Sequence, residues 1–114
     1  MPGTWRMLRG EVWWVEFDPA VGSVIRKTRP AVVVSNDAAN RNLARVVVVP
    51  LTGNTGQVYP GEAAVMGGEK SSKAMADQIM AADKARLKNQ LGTLSKLDML
   101  AIEDAIKVHL ALPR

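Results

Sequence analysis

The chain has 114 residues, of which 47% are apolar and 23% charged, and these values predict one globular domain over residues 1–114. It has no cysteine and one histidine, His109, which excludes disulfide scaffolds, zinc fingers, thiol nucleophiles and any mechanism needing two histidines. The net charge is +4, and residues 26–45, with five basic residues and one acid, carry an excess of the same size. Such a window suits a polyanionic partner, although a solvated basic face explains it equally well.

Neither a membrane helix nor a signal peptide is apparent along the chain. No apolar run approaches the roughly 18 residues that a spanning helix needs. Residues 1–6 lack the apolar centre of a signal peptide. We therefore expect a cytoplasmic protein with no membrane partner, whose residues 1–8 form a loose tail.

The first strands are marked by alternation and by valine runs. Residues 9–17 alternate, so that Trp13 and Trp14 point to opposite faces and only one of them belongs to the core. Residues 31–35 and 44–49 are almost continuous β-branched runs, each next to a proline. Runs of this kind are typical of strands that are buried on both faces, in the middle of a sheet or barrel.

The second half of the chain has weaker strand signals. Residues 63–66 form a short apolar run ended by glycines, and residues 73–83 are compatible with a helix or a strand, with strand favoured by alternation. Short strands separated by turn signals predict a mainly β protein, a small barrel.

One amphipathic helix is expected at the C-terminus. Ser95 followed by Asp98 resembles a capping box, and Pro113 ends the helical pattern. Apolar residues form two adjoining stripes: Leu97, Ala101, Ala105, Val108 and Leu112, and beside them Met99, Ile102, Ile106 and Leu110. A face this wide must cover a barrel end or a partner.

Motifs for metal and nucleotide chemistry are missing from the sequence. There is no HExxH, no DxDxDG and no GxxxxGK[ST] pattern, so we expect no metal site and no cofactor. His109 falls in the last turn of the predicted helix, where a packing or surface role is the better interpretation.

Two residues at strand ends form the informative pattern. Arg29 and Pro30 lead into the first valine strand, and Pro50, Leu51 and Thr52 follow the second. An arginine held by a rigid strand can grip two phosphate oxygens, and a hydroxyl at a neighbouring strand end can meet it over one phosphate. A plain turn role for Thr52 stays open.

Three ordered segments carry a family resemblance. They are residues 9–13 with 17–19 (RGEVW and FDP), residues 28–35 (TRPAVVVS) and residues 49–52 (VPLT), and Gly22-Ser23, Ala76-Asp77-Gln78 and the C-terminal helix also fit. Together they resemble the MazF/PemK family of toxin endoribonucleases, the toxic halves of bacterial toxin–antitoxin pairs. The resemblance spans roughly residues 9–111.

The resemblance implies a fold, a reaction and partners. The fold is an SH3-like barrel of the MazF/PemK/CcdB type with an amphipathic C-terminal helix, forming a homodimer. Its members are mRNA interferases that cleave single-stranded RNA at short motifs without metal or cofactor, leaving a 2′,3′-cyclic phosphate and a 5′-hydroxyl. A cognate antitoxin with an acidic disordered tail blocks the RNA groove, and DNA is contacted only through the antitoxin.

The same resemblance implies roles for individual residues. Arg29 matches the catalytic arginine, which stabilises phosphorane charge and is a candidate to protonate the leaving 5′-oxygen. Thr52 matches the catalytic threonine, which hydrogen-bonds a non-bridging oxygen. Asp77 matches an aspartate that serves some members as the proton acceptor, with a structural turn role as the equal alternative. Candidate RNA contacts are Ser23, Lys27, Asn54, Gln78 and Arg86.

Two departures and two rival functions accompany the resemblance. Some relatives have a histidine or glutamate in the loop after Gly22, where residues 23–25 are SVI, and many have Thr or Ser where Gly53 stands. The rivals are a gyrase poison of the CcdB type and a non-catalytic protein that binds RNA or antitoxin. The ALPR ending lacks the Trp-Gly-Ile-like end of gyrase poisons, which disfavours the first.

Overall fold

The computed structural model describes residues 6–17, 28–67 and 70–114, which form seven strands and two helices. In chain order these are β1 (Glu11–Glu16), β2 (Thr28–Val33), α1 (Asp37–Asn42), β3 (Arg45–Thr52), β4 (Glu62–Gly67), β5 (Lys70–Met75), β6 (Met80–Asp83), β7 (Leu87–Thr93) and α2 (Lys96–His109). Two short 3₁₀ turns, Ala76–Gln78 and Lys84–Arg86, flank β6.

All strand pairs are antiparallel, in the order β4-β5-β3-β2-β1-β7, and β6 pairs with the first half of β3. The mainly β prediction with a C-terminal helix is thus confirmed. Within the described part of the chain the order runs from one edge to the other without closing into a barrel. At the β4 edge, the Met66 N–H donates to Asp98 Oδ2 of α2 at 3.0 Å, so the helix satisfies a backbone donor of this edge strand.

The valine strands lie at the centre of this sheet, as their composition predicts. Val32 and Val33 of β2 and Val48 and Val49 of β3 are fully buried. Alternate residues of each strand enter two separate cores, one on each face of the sheet. The tryptophans of β1 also divide as expected, since Trp13 packs against one core while Trp14 is 38% exposed.

Helix α2 covers the core on one face of the sheet. It begins as predicted, with Ser95 Oγ accepting the Asp98 N–H at 3.1 Å, but the Asp98 carboxylate bonds to β4 and does not complete a capping box. The stripe containing Met99 and Ile102 is the buried one. The other stripe contributes Ala105 to the same core, whereas its ends, Leu97 and Leu112, are 78% and 48% exposed, so the buried face is narrower than the predicted one.

The end of α2 is set by its own backbone and not by Pro113. Ala111 has a φ of 58°, and the Leu112 N–H donates to Lys107 O at 2.8 Å, which is a Schellman ending. The helix therefore stops at His109, four residues before Pro113.

Two elements were not expected from the sequence. Helix α1 has six residues and an Asn36 cap, where the pattern indicated only the end of a strand. Strand β7 is mostly exposed and has no alternation to reveal it. The segment 73–83 is strand, as favoured, except for the 3₁₀ turn that separates β5 from β6.

The expected tail lies partly outside the described residues. Met7, in its described part, is buried in one of the two cores. No helix among the described residues is both long enough and apolar enough to cross a membrane.

Candidate active site

One row of residues crosses one end of the sheet, and we name it the rim row. It consists of Lys73, Thr52, Arg29, Val15 and Leu87. Strand pairing places Lys73 opposite Thr52, Arg29 opposite Val15, and Val15 opposite Leu87. Ala31 pairs with Pro50, so Arg29 and Thr52, two residues further on each strand, take opposing positions in the same register. Because cross-strand partners share a face, the side chains of the rim row project to one side of the sheet.

Arg29 brings a half-buried cation into the rim row. It lies within β2, next to Pro30, and its alternation matches that of the buried Ala31. Among residues 6–17, 28–67 and 70–114, the Arg29 guanidinium has no hydrogen-bond or ion-pair partner. The strand fixes its backbone while its donors remain free for an anionic ligand.

Thr52 is the last residue of β3, and a hydrogen bond orients its hydroxyl. Its Oγ1 accepts the Asn54 N–H at 3.2 Å, and Asn54 Oδ1 accepts the Gly56 N–H at 3.4 Å. The first bond occupies a lone pair of the hydroxyl and leaves the proton of the hydroxyl free to donate. Asn54, a predicted RNA contact, is therefore beside Thr52 and exposed.

The rim row contains a cation that the sequence reasoning missed. Lys73 is only 8% exposed, and its Nζ lies 3.3 Å from Glu62 Oε1 and donates to Gln57 O at 3.0 Å. Lysines are almost never fully buried unless they are paired. Lys73 belongs to a segment whose sequence is compatible with a helix or a strand. The only hint of its burial was strand alternation, which puts residue 73 on the same face as Met75.

Asp77 occupies a second place, which we name the α2 corner and which consists of Gly61, Asp77 and His109. The Asp77 N–H donates to Gly61 O at 3.1 Å. A Cβ built on Gly61 would lie 3.3 Å from His109 Nδ1 and 3.5 Å from Asp77 Cβ, so the two side chains converge there. No pattern in the sequence links His109 to Asp77, because both approach Gly61 only in the folded chain.

The Asp77 carboxylate is exposed and does not cap the 3₁₀ turn it belongs to. In the described part of the chain it forms no hydrogen bond and no ion pair. A structural turn aspartate ordinarily bonds to nearby backbone groups. The carboxylate is therefore accessible to a ligand, and its role stays a prediction.

The other predicted RNA contacts divide into three groups. Arg86 donates to Glu16 O at 3.3 Å and directly precedes Leu87 of the rim row. Gln78 Nε2 lies 3.7 Å from Met75 Sδ, two residues along the chain from Lys73. Ser23 and Lys27 lie outside the described residues.

The described residues hold no cluster of three or more His, Asp or Glu side chains that could bind a metal ion. Apart from the Lys73 ammonium, which is paired with Glu62, the rim row presents a guanidinium and a hydroxyl, two donor types that suit phosphate oxygens. Together they can bind and neutralise an anion from two sides.

A family model for PemK-like, MazF-like toxins of type II toxin–antitoxin systems matches residues 8–110. The chain belongs to this family. Among curated relatives, Endoribonuclease MazF9 of Mycobacterium tuberculosis is 41% identical over 93% of this toxin and 98% of its own length. Endoribonuclease toxin MazF of Escherichia coli K12 is 35% identical over 87% of this toxin and 89% of its own length.

Solved structures agree with the family assignment. A mycobacterial endoribonuclease superposes on this toxin with a TM-score of 0.79 at 30% identity, covering 96% of this chain and 95% of the other. A mycobacterial endoribonuclease in complex with its cognate antitoxin gives a TM-score of 0.78 at 31% identity, covering 94% and 97%. The resemblance noted in the sequence is confirmed, and these relatives support endoribonuclease activity for this MazF-like toxin.

Proposed function

We propose that this toxin cuts single-stranded RNA with the RNA's own 2′-hydroxyl as nucleophile. The 2′-oxygen forms a bond to the adjacent phosphorus as the bond from phosphorus to the 5′-oxygen breaks. One proton leaves the 2′-hydroxyl and another reaches the 5′-oxygen, so the products are a 2′,3′-cyclic phosphate and a 5′-hydroxyl. The protein then supplies orientation, charge neutralisation and proton transfer, and no nucleophile of its own.

The observation that carries this proposal is the pair of free donors at opposing positions of the rim row. The Arg29 guanidinium, which has no partner among the described residues, faces the negative phosphorane, and the Thr52 hydroxyl, already accepting from Asn54, donates to a non-bridging oxygen. Both groups sit on paired strands, so they need little reorganisation during the reaction. Preorganised donors of this kind are usually the largest single source of rate enhancement.

Asp77 is the proposed proton acceptor. Its carboxylate is exposed and has no hydrogen-bond or ion-pair partner among the described residues. It lies on the turn that directly follows β5. Residues 23–25 contain no histidine or glutamate to take this role. In this mechanism Asp77 accepts the proton of the 2′-hydroxyl and Arg29 is the proposed donor to the leaving 5′-oxygen, so the cleavage that we propose uses no metal ion.

We propose the remaining RNA contacts from position and charge. Arg86 and Asn54 flank the rim row, and Gln78 lies along the chain from it. Ser23 and Lys27, which precede β2 in the sequence and lie outside the described residues, are proposed contacts from the family resemblance alone. Base preference would depend on these groups more than on Arg29 or Thr52, which contact only the phosphate.

An antitoxin partner follows from the family and from charge. One solved relative is in complex with its cognate antitoxin. With a net charge of +4, this toxin suits an acidic, disordered tail that covers the positive RNA surface. We further propose a homodimer that contacts DNA only through the antitoxin and acts in the cytoplasm.

The proposal is tested with purified toxin and a long single-stranded RNA in excess EDTA, followed by analysis of the ends. Discrete cuts with cyclic-phosphate and 5′-hydroxyl ends are expected, and the cut sites reveal the motif. Cuts that appear only after divalent metal is added would contradict the metal-independent mechanism. Intact RNA from folded protein would favour a binding protein or a gyrase poison, and a supercoiling assay separates those two.

A further inference from the structure

The loop of residues 53–61 has an unusual task in this topology. It joins β3 to β4, but these strands are not neighbours, because β5 lies between them. The loop must therefore pass β5 on its way. Thr52, the last residue of β3, pairs with Lys73 of β5, so the loop leaves the sheet directly beside Lys73.

The Lys73–Glu62 pair holds this loop at two points. Lys73 Nζ donates to Gln57 O at 3.0 Å, in the middle of the loop. Glu62 Oε1 accepts the Tyr59 N–H at 2.9 Å and lies 3.3 Å from Lys73 Nζ. Lys73 of β5 and Glu62 of β4 thus bind two main-chain groups of loop 53–61, which has no regular secondary structure.

The loop in turn holds the Thr52 hydroxyl. Its second residue, Asn54, donates its N–H to Thr52 Oγ1 at 3.2 Å. A displacement of the loop would break this bond and release the hydroxyl to other rotamers. The orientation of the Thr52 hydroxyl therefore depends on the bond from Lys73 to Gln57, which lies three residues after Asn54 in the loop.

Burial makes the loss of either partner more costly for this pair than for an ordinary surface ion pair. The side chains of Lys73 and Glu62 are 11% and 13% exposed, whereas those of Arg114 and Asp104, which also form an ion pair, are 62% and 51% exposed. Exposed pairs contribute little to stability, while a buried charge that loses its partner is costly. Lys73 is thus constrained to the geometry seen here, with its charge directed at the loop and not at solvent.

We infer that Lys73, paired with Glu62, is a positioning residue for cleavage that fixes loop 53–61 so that Asn54 orients the Thr52 hydroxyl. The inference rests on the proposed function, in which Thr52 donates to the scissile phosphate. It assigns Lys73 no contact with RNA. Its effect should consequently appear in the rate of the chemical step and not in the affinity for RNA.

The test uses the double variant Lys73→Met/Glu62→Gln, which removes both charges and leaves neither buried alone. Its matched control is Arg114→Gln/Asp104→Asn, which removes an exposed pair and likewise leaves the net charge unchanged. We expect kcat to fall about 10-fold to 100-fold in the double variant, with KM almost unchanged, because small displacements of a catalytic group have effects of this size. The control should cleave like wild type.

Amide hydrogen exchange provides a measurement that does not depend on cleavage. In the double variant the amides of Asn54 and Tyr59 should exchange faster, while those of β2 and the first half of β3 keep their wild-type rates. If the double variant does not fold, Glu62→Gln alone, which preserves the bond from Lys73 to Gln57, should give a smaller change of the same kind. Loop exchange identical to wild type would overturn the inference.

Salt dependence separates positioning from direct contact with RNA. If Lys73 only positions the loop, the slope of log affinity against log salt should be the same in wild type and double variant. A slope reduced by about 0.7, the loss of one contact to single-stranded phosphate, would overturn the inference. A wild-type kcat in the double variant would also overturn the inference. An inactive wild-type protein would instead refute the proposed function, and hydrogen exchange would then test whether Lys73 holds the loop.

Discussion

The rim row and the α2 corner hold their functional groups in different ways. Arg29 and Thr52 of the rim row are placed by strand register, through hydrogen bonds along β1, β2, β3 and β5. Asp77 of the α2 corner is placed by a 3₁₀ turn that contacts the end of α2, where His109 and Gly61 approach it. The guanidinium of Arg29 can therefore be removed without breaking a contact among the described residues, whereas the corner depends on how the end of a helix packs.

The largest effect is expected at Arg29. Arg29→Ala should lower cleavage about 10³-fold or more, because it removes the main positive charge facing the phosphorane. The melting temperature should change little, since the guanidinium has no partner among the described residues. Single-turnover cleavage and thermal unfolding, with Arg114→Ala as the exposed arginine control, would check both statements. Wild-type cleavage by Arg29→Ala would remove Arg29 from the site.

Thr52 comes next in expected size. Thr52→Val keeps the shape of the side chain but removes the hydroxyl, and kcat should fall about 10²-fold to 10³-fold. Thr52→Ser, which can still accept from Asn54 and donate to phosphate, should retain most of the rate. Thr93→Val, on the exposed face of β7, provides the matched control. If valine and serine variants were equally active, the hydroxyl of Thr52 would have no role in cleavage.

Asp77 should show a smaller but distinctive loss. Asp77→Asn should slow cleavage about 10²-fold, because the amide cannot accept the 2′-hydroxyl proton. An unchanged melting temperature in the variant would separate the loss of a proton acceptor from a structural effect. Asp83→Asn, which changes another exposed aspartate, is the control. A full rate in Asp77→Asn would leave Asp77 a structural residue and another group as the base.

The contrast between the two places also explains what the sequence could predict. The valine runs predict central strands, and the prolines beside them place Arg29 and Thr52 at neighbouring strand ends, because register follows from alternation. The burial of Lys73 and its pairing with Glu62 depend on a loop that crosses β5, which no local pattern encodes. Likewise, His109 and Asp77 both approach Gly61 because of the place where α2 ends. Their spacing along the chain therefore did not predict that they lie near the same residue.

Gly61 offers the most sensitive test of the α2 corner. No other residue type fits there without a shift, because an added Cβ would lie 3.3 Å from His109 Nδ1 and 3.5 Å from Asp77 Cβ. Gly61→Ala requires the ring of the exposed His109 to move by a few tenths of an ångström, so we expect a loss of stability of at most about 1 kcal/mol, the low end of the cost of overpacking a core. Equilibrium unfolding in urea would measure this difference.

A double-mutant cycle makes that prediction specific to the corner. If the ring of His109 is the obstacle, removing it in His109→Ala should cancel most of the cost of Gly61→Ala, so the two changes are not additive. Additive effects would mean that the strain arises elsewhere. Because Asp77 shares the same space, the single variant Gly61→Ala should also lower kcat a few-fold, and adding His109→Ala should restore part of it. Cleavage that is indifferent to both changes would separate the α2 corner from the rim row and confine the chemistry to Arg29 and Thr52.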